Sequence, residues 1–238
     1  MVYPLFPENK NHSWKIFESI ATRYDLINHL LSFSLDFYWR RKMNSWIGSQ
    51  TQQRMLDLAT GTAAVPISLK NSRNIEGGIG IDLADNMLAI GREKLAIRKL
   101  EKKFILQKGD AVNIPFPDRS FNLVTMAFGI RNVNNISRVL TEAYRVLKSP
   151  GRLIILEFSL PRLKLLRFLY LIYLRYILPL IGGLLSGNYP AYRYLNATIE
   201  TFPSGSNFCA LFKKAGFDVV KNIALSGGIA SLYIGEKK

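Results

Sequence analysis

Met55-Leu56-Asp57-Leu58-Ala59-Thr60-Gly61-Thr62 is a short apolar run that stops at a glycine-bearing turn. Runs of the same kind recur downstream. Gly78-Ile79-Gly80-Ile81-Asp82 ends in an acid, and Phe104-Ile105-Leu106-Gln107 leads into Gly109-Asp110. Phe121-Asn122-Leu123-Val124-Thr125-Met126 is a fourth run. Leu153-Ile154-Ile155-Leu156-Glu157-Phe158, behind the turn Ser149-Pro150-Gly151, is a fifth. Helix-length segments, 86–100 and 136–147, lie between them. Short apolar strands alternating with helices predict a parallel sheet covered on both faces.

The chain ends differently. Residues 207–215 read as a helix stopped by Gly216. Two further strands, 217–225 and 229–235, are joined by Ser226-Gly227-Gly228, a connection short enough only for an antiparallel hairpin. The expected fold is α/β: a doubly wound, mostly parallel, seven-stranded sheet closed by a C-terminal antiparallel hairpin. Residues 160–202 break the alternation and read as an insertion. At the other end, Trp14, Phe17, Ile20, Ala21 and Tyr24 recur at spacings of three and four. That places them on one face of a helix, which Ser13 is suited to cap. The expected organisation is a helical lid over residues 1–50 on a core of 51–238.

The chain has 238 residues, 48% hydrophobic and 21% charged, which excludes a disordered, collagenous or coiled-coil chain. A single cysteine, Cys209, excludes an internal disulfide framework. With only His12 and His29 besides, no metal site is expected. Charge is the outlier: 32 Lys plus Arg against 17 Asp plus Glu gives +15. Such a chain seeks polyanions, either nucleic acid or an anionic membrane face. The basic residues are dispersed and no aromatic single-strand platform is evident, which argues against nucleic acid. The N-terminus carries no basic start and no apolar run of signal length, and a cytoplasmic location is expected.

In a doubly wound sheet the ligand sits outside the carboxyl ends of the strands. Three of those ends carry suitable groups. Gly61 lets backbone approach a ligand, Asp82 is an acid 21 residues further on, and Asp110-Ala111 follows the third run. An acid at about that spacing accepts hydrogen bonds from ribose hydroxyls. No Lys-Ser/Thr phosphate loop follows the turn, so an adenosine-bearing ligand without phosphates is favoured.

Longer stretches carry a narrower likeness. They include Tyr24-Asp25-Leu26-Ile27-Asn28, Leu31-Ser32, Trp39-Arg40, the turn at 57–62, and Gly109-Asp110-Ala111 through Pro115-Phe116-Pro117-Asp118. Ala127-Phe128-Gly129-Ile130-Arg131-Asn132-Val133, Arg145-Val146-Leu147-Lys148, Leu156-Glu157-Phe158-Ser159 and Ala191-Tyr192-Arg193-Tyr194-Leu195 complete it. Over residues 17–237 the chain resembles the ubiquinone/menaquinone biosynthesis C-methyltransferases. The resemblance implies a class I, Rossmann-like methyltransferase that uses S-adenosylmethionine. Its substrate would be a polyprenyl quinol: demethylmenaquinol first, a methoxy-benzoquinol as the alternative. Another lipophilic acceptor, phenolic or sterol-like, also stays open, as does an RNA methyltransferase. The cofactor contacts carry over to Thr62, Asp82, Asp110 and Ala111. Where the family has Gly-Asp this chain has Ala63-Ala64. An acid is lost there, and residue 63 needs dihedrals open to an L-residue.

The sulfonium methyl is already electrophilic, so the protein must supply an electron-rich carbon, align it and exclude water. A hydroquinol serves where a quinone cannot, and serves better as its phenolate. Arg131 and Asn132, after the fourth strand, are the expected catalytic residues. Arginine is no base, but it stabilises a phenolate or orients a water. His12 and His29 are the titratable alternatives. Tyr24, Asp25, Asn28, Tyr192 and Arg193 are implied to shape a lid over the substrate. The stretch 162–176 sets Lys164, Arg167 and Arg175 beside Leu165, Phe168, Leu169, Ile172 and Tyr176. This suits a helix lying on an anionic membrane surface, or a cover over the site or a homo-oligomer contact. Arg167, Arg175, Pro179 and Gly182-Gly183 argue against a span, with the helix expected to break at the proline.

Overall fold

The computed structural model describes residues 13–50 and 52–238; His12 lies outside them. Seven strands form one sheet: β1 (Gln53–Leu58), β2 (Ile75–Asp82), β3 (Phe104–Lys108), β4 (Phe121–Ala127), β5 (Leu147–Phe158), β6 (Val219–Leu225) and β7 (Ala230–Lys237). Their order is β3-β2-β1-β4-β5-β7-β6. The first five run parallel, and β7 lies antiparallel to both β5 and β6. The expected sheet is therefore present, with its one reversed strand. Strand order reverses on either side of β1, so a crevice opens between the ends of β1 and β4, where such folds hold ligands.

Successive side chains of a strand point to opposite faces, and both faces are covered. Leu56, Leu58, Val124, Met126, Leu153 and Ile155 pack with residues of helices α5 (Ile136–Val146) and α9 (Ser206–Lys214). Their neighbours Met55, Leu123, Ile154 and Leu156 pack on the other face with residues of α2 (Leu35–Asn44) and α4 (Asp85–Ile97). This explains why the strands read as continuous apolar runs.

Helix α1 (Ser13–Leu31) joins two parts of the molecule. Ala21 packs with Ala84 and Met87 at the start of α4, while Ile20 and Ile27 pack with Tyr170, Leu174, Leu178 and Tyr192 of the inserted helices. Ser13 does not cap α1 from outside: it lies in the first turn, and its hydroxyl donates to the Asn132 carbonyl at 3.1 Å.

The insertion departs from the sequence reading at Pro179. Helix α6 (Lys164–Ile172) runs through a π-helical turn, Tyr173–Ile177, into α7 (Leu178–Ser186) without a break. Proline lacks an N–H and its ring crowds the carbonyl four residues back. The widened turn immediately before Pro179 absorbs both effects. Lys164–Leu185 is consequently long and apolar enough to cross a membrane. Arg175 differs as well, since its guanidinium is paired with Glu200 on α8 (Tyr189–Thr201) at 2.6 Å.

One glycine explains how tightly the sheet edge is covered. Gly91 sits inside α4, where a Cβ would stand 2.7 Å from Leu106 Cδ1 and 3.2 Å from the Gly61 carbonyl. Alanine there would gain about 1 kcal/mol of helix propensity but would push the helix off the β1 turn. We expect Gly91→Ala to lower unfolding stability by about 1–2 kcal/mol despite that gain. Urea denaturation checks this, and a stabilised variant would contradict it.

Candidate functional site

Strands β1 and β4 end in the same way. Ala59 (φ 50°) and Phe128 (φ 58°) both turn into the left-handed region, which L-residues adopt at a cost of about 1–2 kcal/mol. Strain of this kind is retained where the surrounding packing over-determines it. Gly129 is pressed against Ala59, so that a Cβ on it would stand 2.7 Å from the Ala59 Cβ. The crossing forms a partition with a cavity on either side. Phe17, Tyr24, Ala59, Gly61, Ala127, Phe128 and Asn132 line both.

The cavity over the ends of β2 and β3, about 380 Å³, is lined by Asp82, Gly109, Asp110, Ala111 and Val112. Asp82 Oδ2 accepts from the Gly61 N–H at 2.8 Å and Oδ1 from the Ala84 N–H at 2.9 Å. Burial raises its pKa, and those backbone N–H groups oppose the rise. Asp110 Oδ1 accepts from the Val112 N–H at 3.0 Å, fixing its carboxylate in the turn after β3. Trp14 and Phe17 of α1 also face this cavity, so part of the apolar stripe read as packing supplies flat walls. Gly61 has φ 54° and nothing within 4 Å of where a Cβ would be, leaving room for a ligand against its backbone. Carboxylates with unused lone pairs, aromatic walls and open backbone suit a nucleoside bearing ribose hydroxyls.

Thr62 belongs elsewhere. It lines the second cavity, where its hydroxyl donates to Asp25 Oδ1 at 2.7 Å and accepts from Lys94 Nζ at 3.0 Å. Lys94 also pairs with Asp25 at 2.9 Å, so the β1 turn, α1 and α4 are bound together. Ala63 follows at φ 64°, ψ 29°, inside the small left-handed region open to L-residues. Asp57 is almost wholly buried at the end of β1 and accepts from Thr125 Oγ1 at 2.6 Å. Burial raises its pKa to about 7 against those hydrogen bonds.

The second cavity, about 240 Å³, is mostly apolar. At its floor Arg131, 3% exposed, sets Nη1 2.5 Å from Glu157 Oε1 and 2.7 Å from the Phe128 carbonyl. Its guanidinium lies 5.2 Å from the Phe158 ring centroid. Glu157 also accepts from the backbone N–H groups of Arg131 and Phe158. Tyr24, Tyr170 and Tyr194 line the same space. Burial raises the pKa of all three phenols, and Arg131 pulls each back down. The guanidinium thus exerts an anion-favouring field on every one of those hydroxyls. Asn132 Oδ1 is buried with no hydrogen-bond partner.

Of the residues singled out by sequence, Tyr24, Asp25, Asn28, Arg131, Asn132 and Tyr192 line this second cavity. Tyr24 also engages the Asn28 side chain. Arg193 does not line it. One residue along α8 turns the side chain about 100°, and Arg193 is exposed while Tyr192 and Tyr194 are buried. The sequence reading missed Glu157, Asp57, Lys94 and Tyr194 as site residues. Glu157 had a signal, a lone acid inside an apolar strand. Among the described residues, no three His, Cys, Asp or Glu side chains converge as a metal site.

Solved structures share the fold. A methyltransferase from Thermotoga maritima, described as a possible histamine N-methyltransferase, aligns at a TM-score of 0.67 with 23% identity, covering 95% of this chain and 100% of that one. One from Methanococcus maripaludis aligns at 0.66 with 19% identity over 100% and 97%. Sequence relatives are nearer. A Thermus thermophilus demethylmenaquinone methyltransferase is 42% identical over 93% of this chain and 100% of its own length. A Geotalea uraniireducens ubiquinone/menaquinone biosynthesis C-methyltransferase UbiE is 42% identical over 94% and 95%. A Bacteroides fragilis demethylmenaquinone methyltransferase is 37% identical over 94% and 91%. The fold is that of a class I, S-adenosylmethionine-dependent methyltransferase. With residues 7–237 matching its family model, the chain belongs to the ubiE/COQ5 methyltransferase family.

Breaking the floor of the second cavity tests its construction. Glu157→Ala removes the carboxylate paired with the buried Arg131 guanidinium and is expected to cost about 3–5 kcal/mol of stability. Urea unfolding measures this, and wild-type stability would contradict the geometry.

Proposed function

We propose that the protein uses S-adenosylmethionine to methylate a ring carbon of a reduced polyprenyl quinol, demethylmenaquinol to menaquinol above all. The names of its relatives support the reaction class and substrate. The observation that carries the reading is the partition. A carboxylate-lined nucleoside cavity and an apolar cavity meet across seven shared residues. When bound, S-adenosylmethionine supplies a methyl group on a positively charged sulfur, ready for direct displacement.

The chain's own residues do the remainder. Asp82 receives the ribose hydroxyls, and Asp110 with Ala111 meets the polar edge of the adenine. Asn132 lines both cavities, with its buried Oδ1 unpartnered at the partition. Arg131 stabilises negative charge on the substrate's ring oxygen, as it does for the neighbouring phenols, making the adjacent ring carbon more nucleophilic. Neutralised by Glu157, it acts through short-range hydrogen bonding and field rather than as an exposed cation. The apolar lining excludes water from the electrophilic methyl. Thr62 acts indirectly, holding the lid residue Asp25 to the β1 turn. Tyr24, Asn28 and Tyr192 shape the substrate wall. A methoxy-benzoquinol head is the second reading.

The prenyl tail needs a route to this cavity, and we place it at a membrane surface on the cytoplasmic side. Leu165 (73% exposed), Phe168 (60%) and Leu184 (77%) leave the inserted helices with a broad apolar face. Leu26, Leu30 and Phe33 extend that exposure onto α1 and its following turn, and Phe33 lines the substrate cavity while lying 6.1 Å from the Tyr173 ring. A docking face around the cavity mouth favours lipid over a second copy of the chain as its occupant. The helix 164–185 does not cross. It is entered from β5 and left towards β6, strands of one sheet, and a single crossing would put them on opposite sides. With Arg175 paired to Glu200, Lys164 and Arg167 carry the attraction, at about 1 kcal/mol each near anionic lipid.

Two experiments test these assignments. Supplied with S-adenosylmethionine, the protein is expected to methylate reduced demethylmenaquinol and not the oxidised quinone, with Arg131→Ala lowering turnover by about 10²–10³-fold. Equal activity on the oxidised form, or full turnover by Arg131→Ala, would contradict the chemistry. In vesicle flotation, binding is expected to rise with anionic lipid and fall with salt and in the Lys164→Gln/Arg167→Gln variant. Indifference to both would refute the electrostatic part, carbonate-resistant insertion would refute the surface orientation, and lipid-independent dimerisation through this face would replace it.

A further inference from the structure

The reaction proposed above needs an acceptor for the ring-hydroxyl proton, and Arg131 has no lone pair to serve. Another pair of side chains faces the same cavity. His29 lies on the last turn of α1 and Asp36 on the first turn of α2, and both line it. Between them the chain reverses through Phe33 (φ 51°) and Ser34 (φ 59°). That reversal brings His29 Nδ1 within 2.7 Å of Asp36 Oδ2. Asp36 is only 3% exposed, and its carboxylate is also held by the Arg40 guanidinium and, at 3.0 Å, by the Ser32 hydroxyl. The imidazole stacks on Phe37 with centroids 4.3 Å apart. A carboxylate on Nδ1 fixes the proton there and leaves the lone pair on Nε2. No group among the described residues hydrogen-bonds Nε2.

The other titratable groups around this cavity are bound elsewhere or are kept protonated by burial. Asp25 is bound to Lys94 and Thr62. Tyr173, on the π-helical turn, donates its hydroxyl to the Leu31 carbonyl at 2.6 Å. Tyr24, Tyr170 and Tyr194 are phenols raised by burial, and Asp57, raised by burial to about 7, is enclosed at the end of β1 where it accepts from Thr125. His29 is the one histidine among the described residues, and it is oriented by a buried carboxylate and open at its other nitrogen.

We propose that His29 accepts the ring-hydroxyl proton of the substrate, with Asp36 as its positioning residue; this rests on the quinol reading above. The O–H bond breaks, the proton goes to Nε2, and the freed electron pair conjugates into the ring. The ring carbon then bonds the methyl carbon while the methyl–sulfur bond breaks with its electrons on sulfur. Loss of the proton from that same ring carbon to water restores aromaticity. His29 returns its proton to the ring oxygen, so one proton is released per methyl transferred.

The test separates this role from a structural one. Asparagine at 29 can keep a donor to Asp36 but has nothing at the Nε2 position. His29→Asn is expected to melt near the wild type and bind S-adenosylmethionine normally by calorimetry. Its kcat on reduced demethylmenaquinol should fall about 10²–10⁴-fold, and the acid limb of the wild-type pH profile should vanish. His29→Gln, which abandons Asp36, covers the case of a misfolded first variant and is expected to be as slow. Wild-type kcat with the acid limb intact in either folded variant would overturn the role, as would reduced kcat with an unchanged limb. Native protein that methylates neither reduced quinol would instead overturn the proposed function, and this assignment with it.

Discussion

A guanidinium and a carboxylate buried together at the ends of β4 and β5 hold the site in place. Neither Arg131 nor Glu157 could leave water alone, since an uncompensated buried charge costs several kcal/mol. Their 2.5 Å contact, with Glu157 also receiving two backbone N–H groups, makes the burial tolerable. It also constrains the backbone, tying the turn after β4 to the last residues of β5. Phe128, whose carbonyl Arg131 grips, is thereby held in its left-handed conformation. Gly129 is then set against Ala59, and the partition between the cavities follows from that contact.

The pair also determines what kind of catalyst this protein is. A bare arginine would attract any anion, whereas one matched by glutamate presents a neutral unit with directed N–H groups. Such a unit favours charge that develops at one place in a low-dielectric pocket over charge already present in solution. A quinol acquiring phenolate character fits that description. Enclosure adds the second condition, dryness: α1 spans from α4 to the inserted helices. Its Asp25 is bound to both Thr62 and Lys94, so the wall of the second cavity is linked to the turn at the end of β1.

The sheet was legible in the sequence because its central strands are buried on both faces and end at turns, leaving short apolar runs with clear limits. The C-terminal hairpin was equally plain from Ser226-Gly227-Gly228. The helix through Pro179 was not, because a π-helical turn leaves no mark in residue spacing. The strand-end acids could be placed since Asp82 and Asp110 follow directly from strand periodicity. Thr62 was drawn to its hydrogen-bond partners on α1 and α4, which sequence separation conceals. Glu157, Lys94 and the His29–Asp36 pair acquire meaning only from contacts across elements. Arg193 shows the limit of motif reading: a matched block fixes a helix, but only its packing decides which side chains face inward.

The central claim is that these cavities bring an electrophilic methyl to a carbon, not an oxygen, of a reduced ring. Carbon-13 NMR of the product formed from ¹³C-methyl-labelled S-adenosylmethionine and reduced demethylmenaquinol tests it directly. A labelled methyl resonating as an aryl-bound carbon, coupled to ring carbons, is the result expected. A labelled methoxy signal, with the ring C–H retained, would contradict the account.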